Sequence, residues 1–176
     1  SLPTMNTVFL SLGSNIDRER YIGAALDALA DTYGELQISS IYESEAIGFE
    51  GENFYNLVVA IETDIPIGQL SQELKAIEDA NGRIRQGPKF SARTLDIDIL
   101  TYGDIVGLVE GIELPRDEVN KNAFVLLPMA EIAPEQLHPE LKKSYAALWA
   151  SYDQASQQLW PVDFYWRDEL VSRKGN

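Results

Sequence analysis

The sequence predicts an α+β fold of two or three layers, with helices packed on a mainly antiparallel sheet. Three observations support this. Hydrophobic periodicity marks six opening elements in the order strand, helix, strand, strand, helix, strand. The chain has 176 residues, within the roughly 100–200 of one domain, and such a domain buries about 70% of its unfolded surface. It has no cysteine, so the core forms without disulfides, and thiolate zinc sites and cysteine nucleophiles are excluded.

Each element has its own signal. Residues 7–12 read as a short buried strand, and Gly13-Ser14-Asn15 as a turn. Asp17 or Asn15 is the candidate cap of the first helix, where Ile22, Ala25, Leu26 and Leu29 recur at helical spacing. Gly34 closes it. Residues 36–42 alternate as a strand, with Leu36, Ile38, Ser40 and Tyr42 on one face. A loop rich in Glu and Gly covers 43–53, and 57–63 is a more continuously apolar strand. Asp64-Ile65-Pro66 opens the second helix, with Ile67, Leu70, Leu74 and Ile77 as its inward stripe. Asn81-Gly82 stops it. Residues 95–102 form a strand, and a short one follows around 105–108. Residues 119–132 read as a helix with Pro128 inside or near its end. Residues 142–159 read as a final helix, with Tyr145, Leu148, Trp149 and Tyr152 on one side. The βαββαβ order is that of ferredoxin-like folds, an architecture that hosts many functions.

Charge narrows the ligand classes. The chain carries 28 acidic and 14 basic residues, a net charge of −14. This argues against capture of nucleic acid or an anionic membrane. RNA-recognition domains share the βαββαβ order, but no basic-Gly-aromatic strand motif is present. No apolar run approaches the roughly 18 residues of a membrane span. The first six residues lack the charge and length of a signal peptide. A cytoplasmic, monomeric protein acting on small molecules is the expectation. The single histidine, His138, excludes any site needing two imidazoles and is read as a surface or satisfied structural residue.

The positive charge is concentrated. Before Lys75 only Arg18 and Arg20 are basic, whereas Lys75, Arg83, Arg85, Lys89 and Arg93 follow within one stretch. That stretch leads into Arg93-Thr94-Leu95-Asp96-Ile97-Asp98-Ile99-Leu100. On a strand, Leu95, Ile97 and Ile99 face the core, and Asp96 and Asp98 point together the other way, about 7 Å apart at Cα. Two such carboxylates suit Mg²⁺, which takes oxygen ligands and keeps several waters. Arginine forks suit phosphate oxygens. Together they resemble phosphoryl-transfer equipment. A structural cluster, with Arg83 and Arg93 paired to Asp96 and Asp98, explains the same residues.

The chain resembles the 6-hydroxymethyl-7,8-dihydropterin pyrophosphokinase family. The matching pieces are Leu10-Ser11-Leu12-Gly13-Ser14-Asn15, Ser39-Ser40-Ile41-Tyr42-Glu43-Ser44 and Phe54-Tyr55-Asn56. Ile77-Glu78, Gly82-Arg83-Ile84-Arg85, the Arg93-to-Ile99 string, Phe124-Val125-Leu126-Leu127-Pro128 and Glu131-Ile132-Ala133-Pro134 continue them. They are colinear and span about 7–135, leaving 136–176 as a C-terminal extension of a single domain. The resemblance implies pyrophosphate transfer from ATP to a reduced pterin, in folate biosynthesis, with release of AMP. It implies that Asp96 and Asp98 hold two Mg²⁺ ions, and that Arg83 and Arg93 are catalytic cations. Glu78, Arg85, Arg93, Arg116 and Lys121 fall to the ATP side. Ser44, Ile47, Phe54, Asn56 and Phe124 fall to the pterin side, with Asn56 bonding the ring edge and Phe124 stacking on its face.

The chain departs from the family pattern in places. Arg116 stands where the family usually has histidine, and Asn122 where it has an arginine before Phe124. Phe90 replaces a tryptophan, Glu45 a proline and Phe54 a frequent tyrosine. A diverged pterin- or nucleotide-binding homologue with little turnover is the alternative these changes suggest. The tail Leu159-Trp160-Pro161-Val162-Asp163-Phe164-Tyr165-Trp166 matches nothing in the pattern. Its aromatic residues suit covering the core, a partner surface or the domain's own cleft.

Overall fold

The computed structural model describes residues 5–45, 51–82 and 94–175. Strand β1 (Asn6–Ser14) leads into helix α1 (Arg18–Tyr33), then β2 (Gln37–Ile38), β3 (Ile41–Ser44) and β4 (Phe54–Thr63). Helix α2 (Ile67–Ala80) and β5 (Asp96–Tyr102) complete the βαββαβ core, in which β2 and β3, both paired with β4, together take the place of one strand. The hairpin β6 (Gly107–Val109) and β7 (Ile112–Leu114) follows, then a 3₁₀ turn (Asp117–Asn120), α3 (Ala123–Ile132) and α4 (Tyr145–Ser151). Strands β8 (Leu159–Val162), β9 (Phe164–Trp166) and β10 (Glu169–Ser172) form the tail.

The main sheet runs β5-β1-β4-β3-β8, with β2 also paired to β4. Its strand pairs are antiparallel. The expected α+β fold is therefore present, in three layers. On one face, Val8, Leu10, Leu12, Leu57, Val59 and Ile97 pack with Ile22, Leu26 and Leu29 of α1 and Leu70 and Leu74 of α2. On the other, Phe9, Val58, Ala60 and Leu100 pack with Val125, Leu126 and Met129 of α3 and Tyr145 of α4. Helices on both faces explain the continuous apolar run 57–61 in β4, because both faces of that stretch are buried.

Several boundaries differ from the sequence expectation, each for a local reason. Gly13 and Ser14 continue β1 rather than forming a turn. Asn15 is buried, and its Nδ2 donates to the Glu52 carbonyl at 3.1 Å. Asp17 precedes α1 with φ of 44° and makes no side-chain cap.

The strand expected over 36–42 is split. Ser39 N–H donates to the Val58 carbonyl at 3.0 Å, while its Oγ accepts from Val58 N–H at 2.9 Å. A hydroxyl thus stands where a backbone carbonyl would continue the ladder. The phase shifts, so that Ile38 and Ile41 pack into the same core cluster although three residues apart.

The helix expected over 119–132 breaks at Asn122, which is extended at φ −111° and ψ 125°, before α3 begins at Ala123. The short strand near 105–108 is β6, whose partner β7 the sequence reading did not identify.

The final helix expected over 142–159 is only the seven residues of α4. Residues beyond it form β8 on the sheet edge, where Pro161 is tolerated because an edge strand has a side that needs no donor. Phe164 enters the core, and Arg167 pairs with Asp27 at 3.0 Å and Asp31 at 3.1 Å on α1. His138 is 2% exposed, and its Nδ1 accepts from the backbone N–H groups of Glu140 and Leu141 at 3.2 and 3.1 Å.

Candidate active site

Strand register brings the implied site residues together. Directly opposite residues of paired strands share a face. Asp98 lies opposite Ser11, and Ser11 opposite Val58. Val58 packs on the α3 side of the sheet, so Asp98 faces that side as well. One row along, Asp96, Gly13, Asn56 and Tyr42 stand opposite one another across four strands. One row further, Phe54 stands opposite Ser44. Asp96, Asp98, Asn56, Phe54 and Ser44 therefore occupy a single face near one end of the sheet. The strand alternation read from Leu95 to Leu100 holds, with Ile97 and Ile99 in the opposite core cluster.

Gly13 makes this row possible. A Cβ built on it would meet Asn56 Oδ1 at 2.8 Å, closer than real Cβ contacts come. The Asn56 amide therefore lies over the glycine. Between Asn56 and Asp96 the floor is bare backbone, with the two side chains about 10 Å apart at two interstrand spacings. Sequence reasoning missed this role because a Gly-Ser-Asn string carries the same signal as a turn.

Glu78, on the ATP side by the resemblance, is a buried residue of α2. It is 5% exposed, and its Oε2 accepts from Ile97 N–H at 2.7 Å. It joins the C-terminal end of α2 to β5, on the peptide between the two aspartates. A carboxylate acceptor gives a stronger bond than a neutral one.

Arg116 stands beside Asp98. The chain segment carrying it is fixed by a bond from Arg116 N–H to the Leu100 carbonyl at 2.8 Å. Its guanidinium lies 3.7 Å from Asp98 and 2.6 Å from Glu118. Burial works against its charge, and Asp98 and Glu118 outweigh that, so its pKa lies above the ordinary arginine value. Lys121 pairs with Asp117 at 2.7 Å, with side chains 61% and 84% exposed. Such exposed pairs contribute about 0–1 kcal/mol, so phosphate can displace the acid at little cost.

Phe124 lies in the first turn of α3, half-buried against the second core cluster. The far end of the helix is anchored by Glu131, which accepts from Ser40 Oγ at 2.6 Å and from Tyr42 Oη at 3.0 Å. Burial, followed by the Glu131 charge, raises the Tyr42 pKa, so this phenol stays a donor. Ile47, Arg83, Arg85 and Arg93 lie outside the described residues.

The donor chemistry fits Mg²⁺. Asp96 and Asp98 are hard oxygen ligands on one face of a strand at the sheet edge, and the Asp98 side chain is 38% exposed. No helix among the described residues is long and apolar enough to cross a membrane.

Comparison with known proteins shows the family. The family model for 7,8-dihydro-6-hydroxymethylpterin-pyrophosphokinase matches residues 9–134. The 2-amino-4-hydroxy-6-hydroxymethyldihydropteridine pyrophosphokinase of Aquifex aeolicus is 38% identical over 141 residues, covering 79% of this chain and 88% of that protein. The enzyme of the same name from Bacillus subtilis is 33% identical, covering 88% and 90%. A Plasmodium falciparum HPPK-DHPS structure aligns over 98% of this chain with TM-score 0.70 and 15% identity. The chain spans about half of that structure's length, 50%, and the likeness concerns the fold. On the family match and these relatives, the chain belongs to the 7,8-dihydro-6-hydroxymethylpterin-pyrophosphokinase (HPPK) family.

Proposed function

We propose that the protein transfers pyrophosphate from ATP to the hydroxymethyl group of 6-hydroxymethyl-7,8-dihydropterin and releases AMP, as a step of folate biosynthesis. The observation that carries this reading is the shared sheet face of Asp96, Asp98, Asn56, Phe54 and Ser44. It gives phosphate chemistry and flat-ring recognition a common floor. The hydroxyl oxygen forms a bond to the β-phosphorus, the bond between that phosphorus and the bridging oxygen to the α-phosphate breaks, and the hydroxyl proton is lost. AMP leaves with the bridging oxygen.

The residues divide the work. Asn56 offers an amide donor and acceptor to the heterocycle edge, and Phe54 and Phe124 offer aromatic faces. Asp96 and Asp98 would hold two Mg²⁺ ions, which when bound neutralise phosphate charge and align the reacting oxygens. Glu78 keeps the β5 backbone between the aspartates in place. Arg116 stands beside Asp98, suited to a phosphate oxygen. Lys121 adds a second exchangeable cation, and Arg83, Arg85 and Arg93 are assigned to the same phosphates. We read the chain as one domain, acting in the cytoplasm as a monomer.

The test is AMP release from Mg-ATP with and without hydroxymethyldihydropterin. Release should require the pterin. Asp96→Asn should lower the rate by on the order of 100-fold, the scale on which removing one electrostatic stabiliser acts. Pterin-independent AMP release, or an Asp96→Asn variant of normal rate, contradicts the assignment.

A further inference from the structure

The aromatic tail is the part of the sequence that the family pattern leaves unassigned, and the segment leading into it makes contacts beside Phe124. Asn122 precedes α3, but its side chain makes no cap and instead donates to Glu118 Oε2 at 3.3 Å. The first helical N–H, that of Ala123, would then lack a local acceptor. Its partner comes from 34 residues away: Gln157 Oε1 accepts from Ala123 N–H at 2.8 Å. A second bond acts two residues earlier. Tyr152 Oη donates to the Lys121 carbonyl at 2.7 Å, with the Tyr152 ring stacked on Trp149 at 5.6 Å. The backbone is thus held on both sides of Asn122, immediately before Phe124.

The same segment continues into β8, where Leu159 lies opposite Ser44 and Pro161 opposite Tyr42. Residues 152–161 therefore connect the start of α3, which carries Phe124, with the end of β3, which carries Ser44. Ala123 is fully buried, so its neighbours allow little movement. A shift of the helix start would pass directly to the Phe124 ring.

We infer that Gln157, supported by Tyr152, is a positioning residue that sets the Phe124 ring for the flat substrate. The segment after α4 is then a working wall of the site. This rests on the reading of Phe124 as the ring-stacking residue, so Phe124→Ala is measured alongside.

The experiment is binding of 6-hydroxymethylpterin to the full chain, together with steady-state kinetics. Gln157→Ala should weaken pterin binding and raise the pterin KM about tenfold, while kcat and the ATP KM change less than twofold. Gln157→Glu should restore affinity, because a carboxylate oxygen accepts the same N–H and suits a helix N-terminus. Tyr152→Phe should weaken pterin binding independently. If Phe124→Ala leaves pterin affinity unchanged, the stacking role itself fails. If Phe124→Ala weakens binding while Gln157→Ala and Tyr152→Phe do not, the positioning role is overturned. It is also overturned if Gln157→Glu fails to restore affinity, or if Gln157→Ala lowers kcat with pterin binding intact.

Discussion

Gly13 and Asn56 show how much of the site depends on a side chain that is missing. The Asn56 amide lies where a Cβ on Gly13 would stand, 2.8 Å from its Oδ1. Gly13→Ala should push the amide away from the ring edge and weaken pterin affinity about tenfold, roughly 1.4 kcal/mol, with the ATP KM little changed. Pterin titration of the variant checks this, and unchanged affinity would remove Asn56 from the pocket floor. The aspartates were legible from the sequence because alternation alone puts Asp96 and Asp98 on one face. Gly13 was not, because its role depends on a strand 43 residues away. Glu78 was legible as a member of the motif but not in its action, since its bond to Ile97 N–H joins two elements that pattern reading treats separately.

At the scale of elements, periodicity served best where one face is dry and one wet. The buried residues of α1 are the expected Ile22, Ala25, Leu26 and Leu29, and those of α2 include Ile67, Leu70 and Leu74. It failed where side chains bond to backbone or where aromatic residues crowd. Ser39 splits β2 from β3 by supplying its own hydroxyl to Val58. The stripe from Tyr145 to Tyr152 imitates a long helix, yet the chain leaves α4 to extend the sheet as β8. The joint between α2 and β5 has a measurable strength. Glu78→Ala should leave the buried Ile97 N–H without its acceptor and lower stability by about 1–3 kcal/mol. Denaturant unfolding at neutral pH reads this out, and an unchanged midpoint would show that the joint carries no load. The aspartates flanking Ile97 should lose activity in the same variant.

Across the whole molecule, a net charge of −14 and a reaction among anions are compatible because local fields decide ligand binding. Arg116 beside Asp98 and Lys121 beside Asp117 place cations where the acids are dense. Global stability has its own pH marker in His138. Burial lowers its pKa, only partly opposed by Glu140, and its Nδ1 lone pair is used by two backbone N–H groups. The unfolded chain therefore binds the proton more readily, and stability rises with pH. The His138 contribution is fully present above the ordinary value near 6.5 and declines as pH falls below it towards the lowered folded value. His138→Asn, whose side-chain oxygen can accept the same bonds, should flatten the pH dependence of the melting temperature in that window. An unaltered slope would contradict it. The central claim concerns what is transferred, and it is tested most directly by identifying both products of one turnover. Incubation with Mg-ATP and 6-hydroxymethyl-7,8-dihydropterin, followed by mass spectrometry, should give AMP and a pterin carrying both the β- and γ-phosphates in equal amounts. Formation of ADP with a singly phosphorylated pterin, or no modified pterin at all, would contradict the account.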